Sequence, residues 1–384
     1  MFAKKVSHLV PTGAFEFLGK AKALEAQGKS IIHLEIGEPD FHTPDNIKDA
    51  AIKAIKDNFT GYVISQGIPE LRKTIATHIA ATRKINITPD EVVVGVGASS
   101  IIFYCITTLV EQGDEVIYPD PGFFTYEPVT VFAGGIPKPI RFVHEHGFGI
   151  DIEELKSKLS PKTKLLILNS PHNPTGGMIE HKEMEELARV LRDKKIWVLS
   201  DEVYSEMVYD GGFCSIASYP EMKDKTIIID SFSKTYAMTG WRLGYGVMDK
   251  TLANQVTSLL IQCNSCTPPF IQAAGIEALT GQQNILNERL ETYRKRRDII
   301  VNGLNQIPGF KCAMPKGAFY AFPNVKAYGL PSRELALKLL HETGVACLPG
   351  TVFGRFGEDY IRFTYSNSES NILEALKRIR QFVK

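Results

Sequence analysis

Six short apolar runs recur along the middle of this chain, each rich in Val, Ile or Leu, with amphipathic stretches between and after them. They are 91–96, 115–118, 164–169, 196–201, 226–230 and 243–248. Runs that are apolar on both pleat faces suit strands covered on both sides, and helical stretches between them suit crossover connections. The spacing predicts an α/β fold with a mostly parallel sheet between helices. The helical stretches are Ser99–Gln112, Lys182–Lys194 and one piece from Lys250 to about Glu277. Beyond the sheet, Asn284–Asn305 carries Leu and Ile at helical spacing among many charges and reads as one long helix. Two further strands, Gly317–Phe322 and Tyr360–Thr364, and a closing helix from about Glu369 to Val383 make a smaller α+β set.

With 384 residues the chain exceeds one small core, and residues 1–44 have no place in the sheet, so they are assigned to the smaller unit. The predicted division is 46–281 for a large domain and 1–45 with 282–384 for a small one.

A net charge of +1 gives no electrostatic reason to expect nucleic acid or an acidic membrane as partner. The longest apolar stretch, near Ile101–Val110, is about half of a bilayer span, and Met1–His8 lacks the apolar core of a signal peptide. Six Cys are too sparse for a disulfide scaffold. A cytoplasmic enzyme is the expectation. Cys263-x-x-Cys266 has no second pair, and the His residues, including His144 and His146 beside Glu145, show no metal-ligand spacing, so no metal is expected.

The strongest chemical signal is the segment from Asp230 to Arg242, where a strand ends, Ser231 and Ser233 follow, then Lys234 and, eight residues on, Arg242. A lone Lys is ordinarily a solvated surface group. In a hydroxyl-rich turn at the carboxyl end of a strand it is placed as a Schiff-base amine, with Ser231, Ser233 and Arg242 as phosphate donors. Gly97, Ala98 and Ser99 follow a strand and open a helix, which suits a phosphate, although Ser100 breaks the dinucleotide fingerprint.

The segment around Lys234 resembles the cofactor-lysine motif of class I pyridoxal-phosphate aminotransferases, the aspartate and aromatic aminotransferase family. The resemblance runs on, in order, through Leu34–Phe41, Gly61-Tyr62, Gly67–Arg72, Asn169–Gly176, Ser200–Tyr204, Pro315–Tyr320 and Tyr360–Ser366. It implies a seven-stranded large-domain sheet, pyridoxal 5'-phosphate held on Lys234 as an aldimine, and a homodimer with shared sites.

Residue by residue, the resemblance gives Asp201 the pyridine nitrogen, and Tyr204 and Asn173 the phenolic oxygen. Phe123 would stack on the ring, and Tyr62 would reach the phosphate of the neighbouring subunit. Arg362 would grip the substrate α-carboxylate, with Gly37 and Asn173 beside it. The implied reaction is ping-pong amino transfer from an L-amino acid to 2-oxoglutarate, with Lys234 moving the proton. Aspartate-specific relatives carry Lys where Ser99 stands, and the segment Pro11–Phe15 offers Phe15 in place of a hydroxyl, so the donor is aspartate or aromatic. A β-eliminating lyase on the same scaffold is the alternative.

Overall fold

The computed structural model describes all residues except 1, 2, 4, 7, 8, 10–12, 143–146 and 384. The expectations for Pro11, Thr12, His144, Glu145 and His146 therefore fall outside the described residues.

Strand β1 (Ile32–His33) lies apart from the main sheet. The main sheet has seven strands: β2 (Val92–Gly95), β3 (Glu115–Asp120), β4 (Ile136–Arg141), β5 (Thr163–Asn169), β6 (Trp197–Asp201), β7 (Thr226–Ser231) and β8 (Gly244–Val247). Their spatial order is β2-β8-β7-β6-β5-β3-β4, with β8 antiparallel to both neighbours and every other pairing parallel. Along β5, Leu165 and Ile167 enter one apolar cluster while Leu166 and Leu168 enter another, as the pleat requires of a strand covered on both faces. Each such side chain contributes roughly 1.5–3 kcal/mol through burial.

The seventh strand, β4, had no counterpart among the runs read from the sequence. Its residues are Ile-Pro-Lys-Pro-Ile-Arg, and a repeated Pro argues against a strand interior. The register resolves this. Ile136 N–H donates to Asp114 O at 2.7 Å and Phe142 N–H to Asp120 O at 3.1 Å, so even-numbered residues bond to β3. Pro137 and Pro139 fall on the odd positions, whose missing N–H groups face away from the ladder at a sheet edge. A second correction concerns the piece from Lys250 to Glu277. It is two helices, Lys250–Asn264 and Pro269–Thr280, because Pro268 and Pro269 cannot continue the first. Cys263 ends up exposed on the first helix and Cys266 in the break, both as free thiols.

Strands β9 (Tyr320–Ala321), β10 (Val345–Ala346), β11 (Leu348–Pro349) and β12 (Ile361–Thr364) complete the set. β12 lies between β11 and β9, antiparallel to both, while β10 pairs in parallel with β1 and so joins the N-terminal segment to the C-terminal one. The long helix Asn284–Asn305 packs on Glu369–Phe382 so closely that a Cβ at Gly303 would fall 2.3 Å from Leu376 Cδ1. No helix among the described residues is long and apolar enough to cross a membrane.

If the prolines of β4 serve only the unpaired edge, replacing both with Val keeps the fold. Stability then drops by about 1–2 kcal/mol, the share due to a freer unfolded chain. Urea denaturation checks this. A loss several times larger would mean that the odd positions carry ladder contacts.

Candidate active site

The parallel strands all end at one edge, and a cavity of about 250 Å³ opens there. Asn169 arrives at the end of β5, Asp201 at the end of β6 and Ser231 at the end of β7, and all three line it. Ala98 and Ser99 line it from the first turn of the helix Ala98–Leu109, and Ser233, Lys234 and Arg242 from the turns after β7. Tyr320 and Arg362 enter from β9 and β12, and Gly37 from the segment after β1. Phe123, Asn173 and Tyr204 also line it.

Two residues singled out from the sequence do not. Gly97 sits just behind, with φ +79°, and a Cβ there would fall 2.4 Å from Arg242 Nη2, so a glycine lets the guanidinium approach the helix start. Tyr62 is 91% exposed, away from the cavity, beside Phe59 and Ile64 in a separate apolar cleft.

Local hydrogen bonds fix each group. Asn169 Nδ2 donates to Asp201 O at 3.0 Å, and Asn169 Oδ1 accepts from Asn173 N–H at 2.9 Å. Asn173 Oδ1 accepts from Arg362 Nη1 at 3.0 Å. Arg362 is only 4% exposed and lies between the rings of Tyr320 (4.5 Å) and Phe353 (4.7 Å). Its Nη2 donates to Glu35 O at 2.5 Å, which leaves Nε buried with no partner. Burial pulls the Arg362 pKa below its usual range.

Lys234 Nζ donates to Gly37 O at 2.5 Å. Burial, and then the charge of Arg362, bring its pKa down to about 8. A side chain at Gly37 is impossible, since a Cβ would fall 2.1 Å from Tyr320 Oη. Tyr320 Oη and Tyr204 Oη are hydrogen-bonded at 2.6 Å, and burial raises the Tyr204 pKa far above its usual value. Ser231 Oγ donates to Ser233 Oγ at 2.9 Å and accepts from Ser233 N–H at 3.1 Å.

Asp201 is buried, accepts from Tyr126 Oη at 2.6 Å and from Val203 N–H at 3.3 Å, and burial raises its pKa to about 6. Tyr126 was not among the residues read from the sequence. It lies three positions after Phe123 at the start of the helix Tyr126–Phe132, with the two rings 5.7 Å apart, and no local pattern marked it. No group of His, Cys, Asp and Glu among the described residues could hold a metal ion.

The profile of the family "Aminotransferase class I and II" matches residues 29–379. A probable aspartate/prephenate aminotransferase of Aquifex aeolicus is 38% identical over 99% of this chain and 98% of its own length. An aspartate aminotransferase of Bacillus sp. (strain YM-2) is 38% identical over 100% of this chain and 99% of its own. Among solved structures, the aromatic aminotransferase from Pyrococcus horikoshii OT3 superposes with a TM-score of 0.90 at 35% identity, covering 94% of this chain and 98% of that one.

The buried Asp201 generates a prediction for the ligand-free protein. Its folded pKa of about 6 lies above the unfolded value of 3.8, so between about pH 4 and 6 the folded state holds the proton and the unfolded chain does not. Stability therefore falls as pH rises through that window, by on the order of 3 kcal/mol from this group. Asp201→Asn should be more stable than the parent at pH 7 and show a flatter profile from pH 4 to 6, measured by urea denaturation. Equal or lower stability at pH 7 would contradict the argument.

Proposed function

The chain belongs to the aminotransferases of classes I and II, and on that premise we propose that it carries the amino group of an L-amino acid, aspartate or an aromatic one, to 2-oxoglutarate in two half-reactions at one site. The family uses pyridoxal phosphate. The cavity fits that group by its donor set above all: a lysine amine, a buried carboxylate, two serine hydroxyls and a guanidinium line one space, and glycines behind it let the helix start and Arg242 approach. A Cβ at Gly244 would fall 2.4 Å from Ala98 N, as one at Gly97 would strike Arg242.

In this reading the helix start at Gly97, Ala98 and Ser99 holds the phosphate together with Ser231, Ser233 and Arg242. Asp201 would pair with the ring nitrogen and favour its protonated form. Phe123 would stack on the ring, and Tyr204 and the free Nδ2 of Asn173 would donate to the phenolic oxygen. Lys234 is the amine that holds the cofactor, and a pKa of about 8 supports it, because a neutral amine both attacks a carbonyl and accepts a proton. When bound, the cofactor supplies a sink for the electrons left at the substrate Cα.

The chain's own residues do the rest. Arg362 holds the α-carboxylate and, with Gly37 at its side, sets the orientation of the Cα–H bond. Lys234 Nζ would take that proton from Cα, hold it and give it back later in the reaction. We assign residues 46–281 to the unit that holds the cofactor, and 1–45 with 282–384 to the unit that closes over it and excludes water. We also assign the exposed Tyr62 to contact with a second copy of the chain, as a cytoplasmic homodimer would have it.

One observation favours an aromatic donor. The cations lining the cavity among the described residues are Lys234, Arg242 and Arg362, and each already has a task, whereas Ile36, Ile102, Phe124 and the 68% exposed Phe15 give the walls an apolar character. The second carboxylate of 2-oxoglutarate would then lie toward the open mouth.

The test is to add Phe, Tyr, Asp and Glu singly to the cofactor-loaded protein with no keto acid present. One donor class should bleach the yellow band and release its own keto acid. Ammonia and pyruvate from a sulfur amino acid would instead favour β-elimination, and a protein with no band after cofactor is supplied would end the reading. Arg362→Gln should lower kcat/KM by about 10²- to 10⁴-fold, the equivalent of one or two charge-assisted hydrogen bonds. A loss below tenfold would take the carboxylate away from Arg362.

A further inference from the structure

Two of the groups assigned to the cofactor share an arrangement that the reaction alone does not explain. Asp201 and Ser231 line the cavity, while their chain neighbours Glu202, just past the end of β6, and Asp230 on β7 do not. Both of those carboxylates meet one guanidinium. Arg83 Nε donates to Glu202 Oε2 at 2.8 Å, and Arg83 Nη2 lies 3.4 Å from Asp230 Oδ2. All three side chains are buried.

Further hydrogen bonds hold the same three side chains. Glu202 Oε1 accepts from Ser200 Oγ at 2.9 Å and Ser215 Oγ at 2.5 Å. Asp230 Oδ1 accepts from Ser231 N–H at 2.7 Å, and its Oδ2 from Tyr245 Oη at 3.3 Å. Arg83 Nη2 also donates to Ser205 Oγ at 2.8 Å, and the guanidinium lies 4.8 Å from the centre of the Phe213 ring.

The position in the sheet gives this cluster its meaning. The β6–β7 pairing ends at Asp201 and Ile229, with Glu202 N–H to Ile229 O at 2.8 Å as its last rung. Past that rung no ladder holds the two strand ends at a fixed spacing, and it is across this gap that Asp201 and the Ser231–Lys234 turn face the cavity. A planar guanidinium bonded to both neighbouring carboxylates spans the gap at a fixed width, which a flexible ammonium does not.

We propose that Arg83, through Glu202 and Asp230, is a positioning residue that sets the separation between the Asp201 carboxylate and the phosphate-holding turn at Ser231. It touches neither cofactor nor substrate. The proposal rests on the cofactor reading given above.

The experiment compares pyridoxal-phosphate affinity of the cofactor-free protein, visible circular dichroism per bound cofactor, and melting temperature in the parent, Arg83→Lys, Asp230→Asn and Ser205→Ala. Ser205 Oγ bonds Arg83 but neither carboxylate, and its backbone bond to Glu202 O survives the change, so Ser205→Ala should melt lower and bind cofactor as the parent does. Arg83→Lys should raise the cofactor Kd about tenfold or more and reduce the dichroic band, because a misplaced site loses orientation before it loses contact. Asp230→Asn keeps the shape and should move the same two readouts in the same direction by a smaller factor, about threefold. It also carries the test if Arg83→Lys fails to fold, since removing a partner from a buried ion cluster is strongly destabilising. Variants that melt lower while binding cofactor with the parent's Kd and dichroism would overturn the proposal and leave Arg83 a structural residue. A parent protein that takes up no pyridoxal phosphate would instead remove the reading on which it stands.

Discussion

At the carboxyl edge of a parallel sheet the ladder hydrogen bonds run out, and the last backbone groups of each strand need other partners. In this chain side chains at the strand ends supply them. Asn169 at the end of β5 bonds both the carbonyl of Asp201 and the N–H of Asn173. Asp201 accepts from Val203 N–H, and Ser231 from Ser233 N–H. Each of these groups is therefore fixed twice, once by the strand that carries it and once by the turn it closes. That double constraint is what allows polar side chains from β5, β6 and β7, far apart in sequence, to share one cavity with little freedom of orientation.

The same constraint decides what could be read in advance. The α/β character, the strands β2, β3 and β5 to β8, and the long helix Asn284–Asn305 were legible because burial on both faces leaves a run of β-branched residues and a core-facing helix leaves a 3.6-residue period. Strand β4 was not, since its prolines carry an edge signal that composition cannot separate from a loop. In the site, Lys234, Asp201 and Arg362 stood out by their place within motifs. Tyr126 did not, because its partner Asp201 lies 75 positions away, and Arg83 is 119 and 147 positions from Glu202 and Asp230. Local periodicity carries no trace of pairings over such distances; only the closing of the sheet creates them.

Three groups in the cavity, two of them buried and Lys234 partly so, stand away from their preferred states, and the direction of each departure is informative. Asp201 has its pKa raised by burial, which outweighs the hydrogen bond from Tyr126 and the nearby charge of Lys234. Lys234 has its pKa lowered by burial and by Arg362, so it favours losing its proton. Arg362 keeps Nε unpaired between two aromatic rings, so it lacks an acceptor. Folding alone would not select this combination, because an orphaned buried donor costs about 1–3 kcal/mol and a dehydrated carboxylate costs more.

A cationic ring atom at Asp201, a carbonyl at Lys234 and a carboxylate at Arg362 would relieve all three. No single small amino acid has all of these features. A protonated pyridine aldehyde has the first two, and an amino or keto acid has the third. In the proposed reaction that strain would be divided between two partners that bind in turn, and the relief at Arg362 would come only with the second. Closure over the cavity would then be favoured most with both present, when excluding water matters to a proton that Lys234 is proposed to move.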